Sequence, residues 1–365
     1  MPRPTGQGDG LWPIDEKGKP VRNAILWNDT RTKYMKLENE ERIKEIGIRE
    51  KSTPVFPGAA SVLLKWLAMK EPAAAQRISS ILHCKDWINY KFTGRVITDY
   101  TDASTALLSV FQKRYSEDLF SAMGISEYQG RFPLPVPSTQ VIGKVTDVAG
   151  DESGIRAGTP VIAGAIDVAA VAFGAGAKKM GQACTIVGTT LCNEIILDED
   201  QVNHRDTNGS NLCYISPDKY LRVMANQSGT SSLDWTLSLF SHGLSFEQIE
   251  KAIVDIPIGS DGVIFHPYLY GERAPFKNPW ACAGFFGLTA RHDEYHMIRA
   301  AYEGLAFSLY DCYQAFPSVY DEILLSGGGS KSNFLCQMFA DGLGKAVKRP
   351  AQKELGIIGV ADAVS

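Results

Sequence analysis

Two rhythms alternate along this chain, short apolar runs of strand length and longer stretches that repeat at helical spacing. Ala60 to Met69 places Val62, Leu63, Trp66 and Leu67 on one side and stops at Glu71-Pro72, which predicts a helix. Asp293 opens a longer helix whose apolar face carries Met297, Ile298, Ala301, Leu305, Leu309 and Cys312, with Glu303-Gly304 interrupting it. Further helices are predicted from about Arg31 to Glu45, capped by Asp29 or Thr30, and through Ile88 and Tyr90, capped by Asp86. Others run from Ser231 or Ser232 through Leu239, and from Asn333 to about Leu343. Leu11 to Ile14, Val141 to Val148, Val263 to Tyr270 and Glu322 to Leu325 read as strands. Such alternation predicts an α/β protein. At 365 residues the chain exceeds one ordinary core, so two domains are expected.

The stretch GAIDVAAVAFGAG, 164–176, stands at the centre of this pattern. The run Pro160 to Ile166 reads as a single buried strand that ends on one carboxylate, Asp167. A second run, Cys184 to Val187, ends in Gly188-Thr189-Thr190. A carboxylate at the end of a buried strand is costly unless solvated, hydrogen-bonded or used. A Gly-Thr-Thr turn offers backbone N–H groups and two hydroxyls to an anion. A carboxylate base beside a phosphate cradle is what phosphoryl transfer to a hydroxyl needs. Each element also has a bland reading, a helix cap or an ordinary turn. Glu322 to Leu325 runs into Ser326-Gly327-Gly328-Gly329-Ser330-Lys331-Ser332 and then a helix, a geometry that can seat a nucleotide. That turn matches neither a Walker A nor a GxGxxG pattern, so a structural turn stays open. The loop Asn226 to Thr230 is a second small-residue segment, and TGQGDG near the start has no strand ahead of it to hold its leading end.

Composition narrows the partners. A net charge of −4 with 44% hydrophobic and 21% charged residues gives no reason to expect nucleic acid or an anionic membrane surface. The seven cysteines are odd in number, scattered and free of any CxxC, as in a reducing compartment. The six histidines form no HExxH and no Cys/His cluster, so no metal ligand is assigned. Neither a secretory signal nor an apolar run of roughly 20 residues is seen, and a cytoplasmic location is expected.

Taken in order, TGQGDG, LWNDTR, KDWINYKFTG, TDYTDAST, GAIDVAAVAFGAG, IVGTT, NQSGTSSLDW, PYLYGERAP, GFFGLT, YEGLAFSL and LLSGGGSKSNF make the chain resemble the FGGY family of carbohydrate kinases. The resemblance implies an actin/hexokinase-like, ribonuclease H-like α/β fold of two domains with an interdomain cleft, incomplete at both termini. Residues 1–177 would bind sugar and 178–365 nucleotide. It implies ATP-dependent transfer of the γ-phosphate to a hydroxyl of a ketopentose or polyol, with ATP and Mg²⁺ as cofactors and Asp167 as general base. Gln7, Asp9, Trp27, Asn28, Asp29 and Arg31 match segments that line the sugar pocket. Gly188, Thr189 and Thr190 match the turn that contacts the phosphates. Gly327, Gly328 and Gly329, with Asn333 nearby, match the loop against the nucleotide. Asp9 stands where xylulose kinases show a histidine motif and glycerol kinases an arginine, which points to the branch of erythritol and L-xylulose kinases. A homodimer is also implied. Family members begin with a DxGT hairpin that binds phosphate and helps position Mg²⁺, and continue through further helices beyond the segment matching Gly356 to Ser365. The chain is therefore expected to be a fragment of a sugar kinase. The alternative is a truncated, inactive sugar- or nucleotide-binding protein on the same scaffold.

Overall fold

The computed structural model describes residues 1–51, 55–203, 208–317, 321–352 and 354–363. They divide into two compact units. One comprises Met1–Gly174, Leu197–Leu221 and Glu354–Ser365, the other Ala175–Ile196 and Arg222–Lys353.

In the first unit the predicted helix is present as Ala60–Lys70, with Val62, Leu63, Leu64 and Leu67 buried. Its apolar face joins Ile43, Ile46, Leu119, Phe120, Met123 and Phe132 in one core. Each such side chain, fully buried, contributes about 1.5–3 kcal/mol of transfer free energy. Pro72 has no N–H to continue the ladder and starts a separate short helix, Pro72–Gln76.

Several boundaries differ from the periodicity, each for a local reason. The helix expected from Arg31 begins at Glu40 and runs to Lys51. Before it, Asp29 Oδ1 accepts the Arg31 N–H at 2.9 Å and the Thr32 hydroxyl donates to the Pro57 carbonyl at 2.8 Å. These side-chain bonds hold a turn in place of a helix, while Glu40 and Glu41 suit a helix N-terminus. The strand at 141 stops at Lys144, because Thr146 caps a helix over Asp147–Ser153. The strand predicted to reach Tyr270 is Ile264–His266, ended by Pro267.

The run 160–166 is two strands, not one. Pro160–Ile162 pairs antiparallel with Val141–Lys144, and Ala165–Ile166 pairs parallel with Thr5–Gly6. The break is Gly164, whose φ of +74° suits a residue without a Cβ, and its N–H donates to the Ser138 carbonyl at 2.9 Å. The leading end of TGQGDG is therefore held, by the strand that leads into Asp167.

In the second unit Ala183–Val187 pairs antiparallel with Leu191–Leu197 and parallel with Glu322–Ser326, which pairs parallel with Ala346–Lys348. The long helix is Glu294–Gln314, capped by Asp293, whose Oδ1 accepts the N–H groups of Tyr295 and His296. It runs unbroken through Glu303, a buried carboxylate that accepts from Arg299 Nε at 2.8 Å and the Ser260 hydroxyl at 3.0 Å.

A charged cluster lies inside the first unit. The helix Cys84–Thr93 starts after His83, and Asp86 is its third residue, reaching back to the His83 N–H at 3.2 Å. The fully buried Lys85 ammonium lies 2.7 Å from Asp86, 2.9 Å from Asp99 and 3.0 Å from Asp102, none of them exposed. Burial alone would strip the charge from Lys85, but the three carboxylates outweigh it and hold its pKa well above the ordinary lysine value. Burial also favours neutral Asp86, yet Lys85 and His83 keep it below the usual range. Burial wins at Asp102, which is raised. Replacing Lys85 by Met leaves three carboxylates in one dry volume and is expected to lower stability by about 3–5 kcal/mol at pH 7. In that variant burial raises the carboxyl pKa values above their unfolded values, so the folded state holds the extra protons and part of the loss returns between pH 7 and 5. Urea unfolding at both pH values checks this; an equal deficit at each contradicts it.

Candidate active site

Asp167 opens the helix Asp167–Ala175, straight after the two-residue strand Ala165–Ile166. Its Oδ1 accepts the Val168 N–H at 2.7 Å. The side chain is half-buried. Burial pushes its pKa up to about 6, against the pull of the backbone N–H groups of Val168 and Asp167 itself. A carboxylate so placed is mostly ionised at pH 7 yet basic enough to share a proton. Ile166 fills the space beside Gly8, where an added Cβ would stand 2.0 Å from Ile166 Cδ1, so TGQGDG crosses directly over the residue before Asp167. The half-buried Cys84 thiol is raised by burial, and also by the charges of Asp102 and Asp167.

The other predicted polar residues of the first unit fall into two groups. Gln7 follows the Thr5–Gly6 strand, and Asp9 takes a left-handed φ of +57°. The Gly10 N–H donates to the Gly58 carbonyl at 3.0 Å, beside the Pro57 carbonyl that holds Thr32. The 7–10 and 27–32 segments thus converge on 57–58, with Trp27 partly buried and Asn28 exposed. Asp29 and Arg31 form a bidentate pair, both contacts 2.8 Å, and the Arg31 guanidinium lies over Trp66 at 4.6 Å. The hydrogen bond from Arg31 holds Asp29 below the usual carboxylate range. Lys51, which the periodicity did not mark, is buried and donates to the carbonyls of Thr105 and Ala106. Burial depresses its pKa to about 8, opposed by the charge of Asp9.

The predicted phosphate turns both belong to the second unit. Gly188, Thr189 and Thr190 join Ala183–Val187 to Leu191–Leu197, and the start of the helix Thr230–Phe240 clamps them. The Thr230 N–H and hydroxyl donate to the Gly188 carbonyl at 2.9 and 3.0 Å, and the Ser231 hydroxyl donates to the Thr189 carbonyl at 2.8 Å. Gly327 has φ +85°, and a Cβ there would stand 2.6 Å from the Val187 carbonyl, so this loop lies against the strand that leads into the first turn. Gly328 and Gly329 continue it in a single 3-10 turn, Gly328–Lys331. Asn333 Oδ1 accepts from Arg349 at 2.7 Å, and the same guanidinium donates to the Ser330 carbonyl at 3.0 Å.

Thr230, Ser231 and Arg349 are therefore neighbours of the predicted turns that the residue pattern did not single out. NQSGTSS was visible as a loop of small residues, but nothing in it says which turn it would clamp. No local pattern marks Arg349, which comes to the glycine turn from sixteen residues beyond Asn333. Lys85 and Thr101 were hidden likewise, as charges and hydroxyls that look like solvated helix starts.

The sequence profile described as "FGGY family of carbohydrate kinases, N-terminal domain" matches residues 4–174, and that of the C-terminal domain matches 183–363. A xylulose kinase of Bacillus subtilis (strain 168) is 31% identical over 344 residues, 92% of this chain and 68% of that protein. An erythritol kinase of Brucella abortus (strain 2308) is 27% identical, covering 98% and 72% of the two chains. A crystal structure described as a xyloylose kinase from Brucella ovis superposes with a TM-score of 0.88 at 27% identity, covering 98% and 74%. With both domain profiles matched over nearly its whole length, the chain belongs to the FGGY family of carbohydrate kinases, phosphotransferases of two-domain, actin/hexokinase-like α/β fold.

Proposed function

We propose that this chain transfers the γ-phosphate of ATP to a hydroxyl of a ketopentose or polyol, with Asp167 as the general base. The observation that carries this reading is the Asp167 carboxylate, held at a helix N-terminus, half-buried, with a pKa raised by burial to about 6. The names of the relatives, xylulose kinase and erythritol kinase, support the substrate class. Asp9 favours a polyol such as erythritol, or L-xylulose, because one carboxylate accepts hydrogen bonds from two neighbouring hydroxyls.

In this mechanism the acceptor binds the first domain, 1–177, along Gln7, Asp9, Trp27 and Asn28. Asp29 and Arg31, paired with each other, shape the wall beside them. The nucleotide lies on the second domain, 178–365, with its phosphates against Gly188, Thr189 and Thr190, and Gly327, Gly328, Gly329 and Asn333 along its other side. Asp167 takes the hydroxyl proton as the acceptor oxygen attacks the γ-phosphorus; the bond to the bridging oxygen breaks and ADP leaves. The protein contributes mostly positioning and charge stabilisation to such a transfer. We assign Mg²⁺ to the phosphates of ATP, where it would neutralise their charge; among the described residues no three His, Cys, Asp or Glu side chains gather to hold a metal. No helix among the described residues is long and apolar enough to cross a membrane. We place the enzyme in the cytoplasm, as a homodimer acting on a small molecule.

Incubation with Mg-ATP and a panel of polyols and ketoses, following ADP, tests the reading. ADP that appears only with one of them supports it; sugar-dependent thermal stabilisation without any ADP favours the inactive binding protein instead. Asp167→Asn is expected to lower kcat by about 10²–10⁴-fold while sugar affinity stays within about threefold; a variant retaining more than a tenth of the rate overturns the base assignment. The wild-type kcat is expected to fall about tenfold per pH unit below pH 6, where Asp167 gains its proton. The stability term has the opposite sign. The folded pKa lies above the unfolded value, so the proton held between about pH 4 and 6 favours the folded state, and that gain is lost as pH rises through 6.

A further inference from the structure

The segment that delivers Asp167 is gripped by side chains. Asn89 Nδ2 donates to the Ala163 carbonyl at 2.7 Å, and the Thr101 hydroxyl accepts the Ile166 N–H at 2.9 Å. Thr101 is fully buried, and its Oγ1 donates in turn to Asp99 Oδ2 at 2.7 Å. Asp99 is a hub. It accepts the Thr101 N–H at 2.9 Å, the Asp102 N–H at 3.3 Å and the Ser138 hydroxyl at 2.6 Å, and it pairs with Lys85 at 2.9 Å. The Ala165–Ile166 strand belongs to a ladder of only two strands, so Ile166 finds a hydroxyl where a wider sheet would offer a carbonyl.

We infer that Thr101 is a positioning residue for Asp167, its buried hydroxyl linking the amide just before the base to the Lys85 charge cluster through Asp99. The inference rests on the reading of Asp167 as the base. The geometry makes one oxygen serve two bonds. As donor it is oriented by the Asp99 carboxylate, which is paired with Lys85; as acceptor it is left with a lone pair aimed at the Ile166 N–H. A side chain of the same shape without the oxygen strands a buried N–H and frees the peptide that sets where Asp167 begins its helix. Ile166 also packs beneath Gly8, so the same peptide sets the height of the loop carrying Gln7 and Asp9.

The test is Thr101→Val against Thr101→Ser, by hydrogen–deuterium exchange and by kinetics. In Thr101→Val the peptide spanning 164–168 is expected to exchange at least tenfold faster, with protection of the Ala60–Lys70 and Asn333–Leu343 helices unchanged. The same variant is expected to lose at least tenfold in kcat, with KM for acceptor and ATP within threefold. Thr101→Ser is expected to restore both readouts to within threefold of wild type. If Val does not fold, Thr101→Ala against Thr101→Ser carries the same comparison. Native-like exchange at 164–168 without the hydroxyl overturns the proposal, as does faster exchange with kcat unchanged, or failure of Ser to restore. Exchange needs no turnover. A wild-type chain that makes no ADP with any acceptor therefore sinks the kinase reading, whereas unchanged exchange sinks the role of Thr101 alone.

Discussion

An ammonium surrounded by three carboxylates, all sealed from water, is the interaction on which the first unit depends. Lys85 contacts Asp86, Asp99 and Asp102 within 3.0 Å. Taking charged groups out of water is costly, and their mutual attraction repays it only when the remaining lone pairs are also satisfied. Most are. Asp86 bonds the start of its own helix, and Asp99 bonds the start of the Tyr100–Ala103 turn of helix and the Ser138 hydroxyl. Three segments distant in sequence, around 85, 99 and 138, meet at one point because each brings a group that the others need. A hydrophobic cluster could supply as much free energy, but it would tolerate small slips of register that these directional bonds do not.

The same logic, with neutral groups, operates in the second unit. The Gly188-Thr189-Thr190 turn spends two of its carbonyls on Thr230 and Ser231. Those bonds fix the turn as part of the fold, so if it contacts a ligand as proposed, its conformational entropy is lost on folding and not on binding. The Gly327 loop gains its place differently, through the absence of a side chain, since its backbone approaches Val187 more closely than a Cβ allows. If the two turns seat the phosphates as proposed, such a preorganised pair is what stabilisation of a transferring phosphoryl group calls for.

Much of this was legible in the residues themselves. The helices Ala60–Lys70, Glu294–Gln314 and Asn333–Leu343 follow from unbroken apolar periods with a cap or a proline at an end. The misread stretches have a common cause, a polar side chain that competes locally with the backbone. Asp29 and Thr32 hold a turn where the period suggests a helix; Thr146 cuts a strand short by capping the next helix. In 160–166 every residue but Gly164 fits one strand, and only a positive φ reveals two. Of the residues in the proposed mechanism, Asp167 could be singled out because a lone charge in an apolar run is conspicuous. Lys85 could not, since KDW at a helix start looks solvated until Asp99 and Asp102 are folded against it.

On the proposal that Asp167 is the general base, its place at such a junction has a physical rationale. Placed on a fully buried strand, its carboxylate would lose its charge; placed at an exposed cap, it would hold its charge too firmly to accept a proton. At the first turn of a helix two opposing influences act on one group. Burial raises its pKa while the amide dipoles lower it, and the balance falls at about 6. That balance depends on small displacements. A shift of the helix start toward solvent restores ordinary carboxylate acidity, and a shift inward protonates the group at neutral pH. On the proposed mechanism, holding the preceding peptide still is therefore part of the chemistry, and a two-residue strand cannot do it through its own ladder. The rigidity is supplied from behind, by a hydroxyl that takes its orientation from Asp99 and, through Asp99, from Lys85.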